Sequence, residues 1–454
     1  MSMFERKIEQ ELMNWKNSLK YKKKAFILKG LRQVGKTVII KKFASENFDN
    51  TIYINFKEEI NIKKAFDSNL LVDEIITNLS IIKPGISFIP FKTVLLFDEI
   101  QECSGARASI KPFMEDGRFD IIASGSLLGI KGYNQNYQGG VSVGFEHTVY
   151  MKPMDFEEFL WAKGISKDTL SYLKDCLVHN KPIRIPIHET MLRYFKEYMC
   201  VGGMPSIVNT FVKTKDYNAV LVEQKDILEG YKDDFAKHLN ENEEEKVDLN
   251  LLTKINRIYD SIPSQLAKEN KKFTYSTIEK KGTSLKYGSA IQWLVDYGLV
   301  NYCYNLSTLS FPLEGNKIDN IFKLYFSDSG LFISMLDRNS ANDIMFGDMG
   351  LYKGYIYENI IADALSKMSI PLYYFSKESG LEIDFISRHE NDIILIEVKA
   401  KNGNSKSAKT VLNDKISYPH VSKVIKLSSN NIGENNNILT IPYYMICFLK
   451  DYLN

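Results

Sequence analysis

With 454 residues the chain is too long for one compact core, and two to four domains are expected. Its apolar share of 44% is ordinary for a soluble globular protein, and a formal net charge of +2 says nothing for or against a nucleic-acid partner, because a local patch would be hidden in the sum. No CxxC pair or partner His at ligand spacing accompanies the scattered Cys103, Cys176, Cys200, Cys303 and Cys447, which argues against a zinc site and for free thiols in a reducing compartment. The charged segment Met1 to Gln10 lacks the apolar core of a signal peptide, and no apolar stretch approaches the ~18 residues of a membrane span. A cytoplasmic protein with no membrane partner is the expectation.

In chain order, Phe4, Ile8, Leu12 and Trp15 stand at helical steps of three and four. The run Ala25 to Leu28 is a strand that stops at a loop beginning with Gly30, and Val38 to Phe43 follows as helix. Thr51 to Phe56 is a second strand, Val94 to Phe97 a third ending on Asp98-Glu99, and Asp120 to Ala123 a fourth ending on Ser124-Gly125-Ser126. His147 to Met151 is the candidate fifth. Fully apolar strands alternating with helices predict a parallel sheet covered on both faces, with its active edge at the carboxyl ends of the strands. From about Asp155 to Leu239 the pattern is helical, broken by Pro182, Pro186 and the turn Gly202-Gly203-Met204-Pro205. The acidic stretch Glu241 to Glu245 reads as a solvated linker or helix face. Leu251 to Tyr304 then reads as three helices and a hairpin, with Ser284 to Tyr297 the third helix and Leu299 to Leu306 the start of the hairpin. From Phe322 onward the chain is α/β again, and Glu434 to Asn437 is a short polar loop.

The loop Gly30-Leu31-Arg32-Gln33-Val34-Gly35-Lys36-Thr37 fits G-x-x-x-x-G-K-[ST] in full. Its glycines let backbone amides approach phosphates, and the helix that begins there, through Val38, turns its positive end toward them. Lys36 would reach the β- and γ-phosphates of a nucleoside triphosphate, and Thr37 would hold Mg²⁺. The apolar strand before the loop and the helix after it supply the context that the motif requires. The strand Val94 to Phe97 would deliver Asp98 to the same Mg²⁺, and Glu99 would orient or deprotonate water. Ser124 and Ser126 would contact the γ-phosphate or the attacking water, or simply close a Ser-Gly-Ser turn.

Four segments, Arg32 to Thr37, Leu96 to Gln101, Ala123 to Ser126 and Pro153 to Phe159, together resemble the AAA-type (AAA+/STAND-like) P-loop ATPases of bacteria and archaea that carry a C-terminal domain of unknown function. The resemblance covers essentially the whole chain. It implies ATP and Mg²⁺ as cofactors, an ATPase core followed by a helical lid, and a place for Gly202 to Pro205 as the family's turn in the lid region. One departure matters. Relatives often carry a basic residue after the glycine preceding the last core strand, and here Gly144 is followed by Phe145. No arginine finger is therefore assigned: Arg107, Arg118 and Arg193 read more readily as surface or salt-bridge residues, and hydrolysis is slow or relies on another subunit for the charge.

The segment Leu251 to Leu306 resembles a winged helix-turn-helix. Lys271, Lys272, Lys280, Lys281, Lys286 and Tyr287 would contact a DNA backbone, or form a solvated face of a rigid intramolecular arm. Ile255, Ile258, Ile291, Trp293 and Leu294 read as its core. In the last segment Glu358 lies in a helix, Glu382-Ile383-Asp384 in one strand and Glu397-Val398-Lys399 in another. Alternation puts Glu382 with Asp384 and Glu397 with Lys399, and if the strands pair these groups converge with Glu358. That is similar to the PD-(D/E)XK restriction-endonuclease-like fold, which implies Asp384 and Glu397 as metal ligands, Lys399 positioning a nucleophile and Glu358 assisting. The alternative is a nuclease-like fold kept as a binding module, with Lys399 merely neutralising its carboxylates. The run Lys401 to Lys409 would grip a phosphate backbone or form a loop. The chain is thus read as α/β: a P-loop core over 1–160, a helical lid over 161–245, a winged-helix-like domain over 246–318 and a restriction-endonuclease-like domain over 319–454.

Overall fold

The computed structural model describes residues 4–18, 24–67, 69–126, 144–240, 249–337, 339–347, 353–399 and 405–453. The acidic stretch Glu241 to Glu245 and the first part of the lysine run, 401–404, lie outside the described residues. The chain forms two compact units, one of Met1–Lys152 with Asp234–Asp248, the other of Pro153–Asp233 with Leu249–Asn454.

The first unit is a five-stranded sheet, β1 (Ala25–Gly30), β2 (Asn50–Asn55), β3 (Thr93–Asp98), β4 (Asp120–Gly125) and β5 (Glu146–Met151), in the order β2-β3-β4-β1-β5. Every pairing is parallel. β1 and β3 are buried along their whole length, which is why their sequences run apolar without alternation. Helices Lys36–Asn47, Val72–Ile82 and Ser104–Asp116 connect the strands, and Phe56, Phe66 and Phe97 pack edge to face in the core. The helix Ile8–Asn17 buries Leu12 and Trp15, and Trp15 stands edge-on to Phe26. Because β4 lies between β3 and β1, the carboxyl ends of three adjacent strands deliver Asp98, Ser124 and the Gly30 loop to one edge.

The second unit opens with helices Phe156–Ala162, Lys167–Val178, Ile185–Val201 and Pro205–Thr214. A complete capping box at Asp155 and Glu158 starts the first of them. The Gly202-Gly203 turn is dictated by packing. A side chain on Gly203 would stand 2.0 Å from the Met154 carbonyl oxygen, and one on Gly202 would strike the carboxylate of Asp328. Asp328 is fully buried, accepts from the Gly203 amide at 2.7 Å and caps the helix Ser329–Ser334. Its carboxyl is pushed up by burial, against the pull of Lys367.

The middle segment departs from three helices. Helices Leu249–Leu266 and Ser284–Tyr297 form, burying Ile255, Ile258, Ile291, Trp293 and Leu294 as expected, but between them only the 3₁₀ turn Tyr275–Thr277 appears. Lys and Thr make up about half of residues 267–283, which leaves too little apolar periodicity to bury a helix. The loop is pinned instead by the Phe273 amide on the Phe322 carbonyl and by Gly282 packed under Tyr275. The hairpin forms from β6 (Val300–Leu306) and β7 (Lys317–Phe326). β6 also pairs in parallel with β8 (Tyr373–Ser376), so the hairpin continues the sheet of the last segment. With β9 (Glu382–His389), β10 (Asp392–Val398), β11 (Val421–Ser428), β12 (Gly433–Asn435) and β13 (Ile438–Pro442), that sheet runs β12-β13-β11-β10-β9-β8-β6-β7. Helix Lys406–Asn413 packs Ala408, Val411 and Leu412 on it together with Leu395 and Val424. Helix Lys353–Lys367 carries Glu358 against β7 and β10.

Candidate functional site

In the first unit Gly35, at φ 95°, is the left-handed residue from which helix Lys36–Asn47 springs, and Gln33 also has positive φ. A side chain on Gly30 would lie 2.3 Å from the Met151 carbonyl oxygen, so only glycine lets the loop leave β1 beside β5. The Lys36 ammonium turns back onto the carbonyls of Gly30 (2.9 Å) and Leu31 (2.8 Å). Burial pulls its pKa down to about 8, opposed by Glu99 and Asp98.

Asp98, 2% exposed, is the hub. One carboxylate oxygen accepts from Thr37 at 2.8 Å and from the Tyr53 hydroxyl at 2.9 Å, and the other accepts from Ser124. Glu99 sits at φ 52° and accepts from Gln101 at 2.5 Å. Ser126 is buried, and among the described residues its hydroxyl has no partner. Arg32, inside the loop, pairs with the buried Asp234. Three groups here escape the motif reading. Tyr53 was legible only as an inward residue near the exit of β2. Arg6 donates to the Val34 carbonyl at 3.0 Å and to the Lys152 carbonyl at 2.7 Å, tying the phosphate loop to the chain after β5. Nothing local announces it, and the same holds for Asp234. Of the arginines weighed as fingers, Arg107 is buried against Glu146, Arg118 is held by Asp116 and Asp73, and Arg193 in the second unit lies over the Tyr194 ring. Phe145 packs against the core, and its carbonyl takes the Ala25 amide at 2.8 Å.

In the second unit the acidic groups of the last segment gather around the buried Lys323 and the half-buried Lys271 and Lys399. Glu358, 3% exposed, accepts from Lys271 on one oxygen and from Tyr325 (3.1 Å) on the other, with Lys323 at 3.7 Å. Lys323 is wholly buried and donates to Glu382 at 2.8 Å. Asp384 accepts the Val398 amide at 2.7 Å. Burial, then the neighbouring Glu358 and Glu397, raise its carboxyl to about 7. Glu397 pairs with Lys399 at 2.5 Å, and its other oxygen is buried without a partner among the described residues. Burial outweighs the Lys399 attraction and raises Glu397, whereas the lysines hold Glu358 below its ordinary range. Glu358, Asp384, Glu397 and Lys399 therefore share one electrostatic neighbourhood. Among the described residues no three His, Cys, Asp or Glu side chains form a grouping that could hold a metal ion.

Two lysines make contacts that the sequence reading did not give them. Lys271, considered for a DNA backbone, serves Glu358, because its loop folds onto β7. Lys323 was not singled out, although a lysine in the apolar run Ile321 to Phe326 is the kind of residue that marks a buried charge. Lys286 and Tyr287 both donate to Glu279, while Lys280 and Lys281 are exposed and Lys272 half-buried.

Residues 22–160 match the family model described as an AAA domain. The first unit is built on a P-loop ATPase domain of the AAA type. Two further models match, each described as a domain of unknown function: DUF8612 over residues 192–342 and DUF4143 over residues 353–445. No curated protein matches the chain. Among solved structures, the Walker-type ATPase of Pyrococcus abyssi is 16% identical, covering 73% of this chain and 96% of its own, with a TM-score of 0.40. The Aeropyrum pernix ORC2 protein in its ADPNP-ADP complexes is 12% identical, covering 80% and 94%, with a TM-score of 0.34. The Aeropyrum pernix ORC1 protein in complex with DNA is 12% identical, covering 76% and 91%, with a TM-score of 0.26. Overlaps this loose transfer no role to any residue here. Among the described residues no helix is long and apolar enough to cross a membrane.

Proposed function

We propose that the chain is a Mg²⁺-dependent ATPase whose nucleotide state governs a C-terminal half built around Glu358, Asp384, Glu397 and Lys399. The observation that carries the ATPase reading is the threefold acceptance at Asp98, which holds the carboxylate at the end of β3 against the hydroxyl that follows the P-loop lysine. Thr37 and Asp98 fit the inner contacts of Mg²⁺, and Ser124 and Tyr53 fix the Asp98 rotamer. Lys36 would exchange the Gly30 and Leu31 carbonyls for the β- and γ-phosphates, and the amides of Gly30 through Val38 would cradle them. Glu99 would orient water, and the unpartnered Ser126 hydroxyl would face the γ-phosphate. Bound Mg²⁺ supplies charge neutralisation on the phosphates. The division into core, lid, winged-helix-like and nuclease-like segments belongs to the same reading. So does a cytoplasmic setting, supported by five buried free cysteines. The test is titration of a fluorescent ATP analogue with Mg²⁺, together with phosphate release. Asp98→Asn and Lys36→Ala are expected to lose binding by tenfold or more, and Glu99→Gln to keep binding and lose hydrolysis. Retained Mg²⁺-dependent binding in Asp98→Asn would sink the assignment.

For the C-terminal half we favour metal-assisted phosphodiester cleavage, supported by the buried, unpartnered oxygen of Glu397 beside Asp384 and Lys399. Asp384 and Glu397 would hold Mg²⁺, Lys399 would position the attacking water and Glu358 would assist. Nicking of plasmid DNA with Mg²⁺ or Mn²⁺, abolished in Asp384→Ala, is the expected result. A second reading draws on the lysines that already saturate Glu358: the half binds a partner without chemistry. It predicts nucleotide-dependent association that Glu397→Ala leaves intact, and no cleavage across metals and substrates. DNA, or another subunit supplying an arginine, remains the proposed partner class.

A further inference from the structure

We propose that the cleft between helix Lys406–Asn413 and the β11–β13 end of the sheet is a phosphate subsite for a nucleic-acid backbone running past the Glu397 centre. This rests on the phosphodiester reading of that centre. The cleft is open to solvent, has a volume of 640 Å³, and is lined by Ser405, Lys409, Lys426 and Thr440 among others.

Position is the first argument. Glu397 pairs in register with Lys426, and Lys426 with Thr440. Residues in register on neighbouring parallel strands share a face, so these three side chains form a row across β10, β11 and β13, spaced by roughly 4.8 Å per strand. The cleft thus begins one strand from Glu397 and leads toward the short edge strand β12.

Chemistry is the second. Ser405 occupies the cap position of helix Lys406–Asn413 but makes no side-chain cap bond. It is 3% exposed, its hydroxyl has no partner among the described residues, and it lines the cleft. An uncapped helix start leaves backbone amides unpaired and a positive end facing outward. A buried donor beside them with nothing to bond is costly unless a ligand completes it. Lys409, one turn along, and Lys426 from the sheet add positive charge at the same opening. The acid on the wall, Glu434, is already paired with Lys423 at 3.0 Å and with Asn180 at 2.6 Å. Hydroxyl, helix start and the Lys409 ammonium around an open cleft are what a phosphodiester oxygen accepts from.

Fluorescence anisotropy of the full chain with a labelled 20-nucleotide single strand and the matching duplex, without divalent metal, tests this. Lys409→Glu and Lys426→Glu are each expected to weaken binding roughly five- to tenfold and to lower the salt slope by about one. Ser405→Asp is the decisive variant. Aspartate caps a helix well, so folding is kept, yet its charge would repel the phosphate and remove most of the affinity. ATP binding at the P-loop stays unchanged in all three. Wild-type protein that binds no oligonucleotide, or binding unchanged within twofold in Ser405→Asp and both lysine variants, would each overturn the subsite. Asp384→Asn separates the two readings: it keeps oligonucleotide affinity while abolishing any cleavage. Wild-type binding that depends on Lys409 without cleavage under any metal leaves the subsite standing and removes the nuclease.

Discussion

Replacing Lys323 by methionine isolates the buried charge network of the second unit. Lys323 is wholly buried, 3.7 Å from Glu358 and 2.8 Å from Glu382. At an effective dielectric near 20, two charges 3.7 Å apart attract by roughly 4 kcal/mol. The Glu382 contact is shorter, but that side chain is 34% exposed, so solvent screening reduces it to about 1 kcal/mol or less. Methionine removes both attractions and also the cost of burying the ammonium. Glu358 remains buried with Lys271 and Tyr325 as its donors. The net loss is therefore about 2–4 kcal/mol, at or below the range for breaking one partner of a buried pair. The pH window follows from the directions of the shifts. Glu358 is held below its ordinary value and Lys323 above its own. The pair then stabilises fully above the unfolded carboxylate range near pH 4 and below the unfolded lysine value near pH 10. Its contribution fades as pH falls through the depressed Glu358 value, and again as pH rises through the raised Lys323 value. Pulse proteolysis of the intact chain across a urea series is expected to lower the midpoint of the second unit by roughly 1 M in Lys323→Met at pH 7. The deficit should shrink below pH 4. Adding Glu358→Gln should recover about 2 kcal/mol through coupling. A variant as stable as wild type at pH 7, or strict additivity in the double variant, would refute the argument.

Three further outcomes are expected. Lys36 titrates near 8 in the free protein, so nucleotide affinity should fall as pH rises above that value, by up to about tenfold per unit; a flat binding profile from pH 7 to 9.5 would contradict it. Gly203→Ala should cost about 3 kcal/mol or more through backbone displacement and loss of the Asp328 and Met154 hydrogen bonds, measured by the same urea series, and a change under 1 kcal/mol would show that the turn adapts. Arg6→Ala should weaken ATP binding about three- to tenfold by freeing the loop from its tie to Val34 and Lys152, with unchanged affinity as the refuting result.

What was legible in the sequence follows a physical divide. The phosphate loop and its strands were readable because consecutive residues carry both signals: Ala25 to Leu28 and Val94 to Phe97 are apolar runs, and Gly30, Gly35, Lys36 and Thr37 stand at fixed spacing. All five strands of the first sheet appear within a residue or two of their expected limits. The middle segment was harder. Residues 267–283 hold their shape through distant partners, Phe322 for the backbone and Glu358 for Lys271, and no local periodicity encodes a partner dozens of residues away. The same limit hid Arg6 and Tyr53, whose roles exist only once β3, β4 and β1 are side by side.

The C-terminal centre shows what that divide means for chemistry. Alternation along β9 and β10 identified the acidic side chains, because face is a local property of a strand. It could not show that Lys271 and Lys323 would arrive from the preceding hairpin region to neutralise Glu358, since that depends on β6 joining β8. The carboxylates are consequently divided. Glu358 is compensated by lysines and held ionised, while Asp384 and Glu397 are pushed toward the protonated form. A centre arranged this way has one acid committed to structure and two raised by burial, Glu397 paired with Lys399 through one oxygen and Asp384 accepting the Val398 amide. Of those two, Glu397 is the one from which the row through Lys426 and Thr440 departs. On the proposed phosphodiester reading, the side of Glu397 that continues into Lys426 and Thr440 would be the one along which a phosphodiester approaches through the cleft.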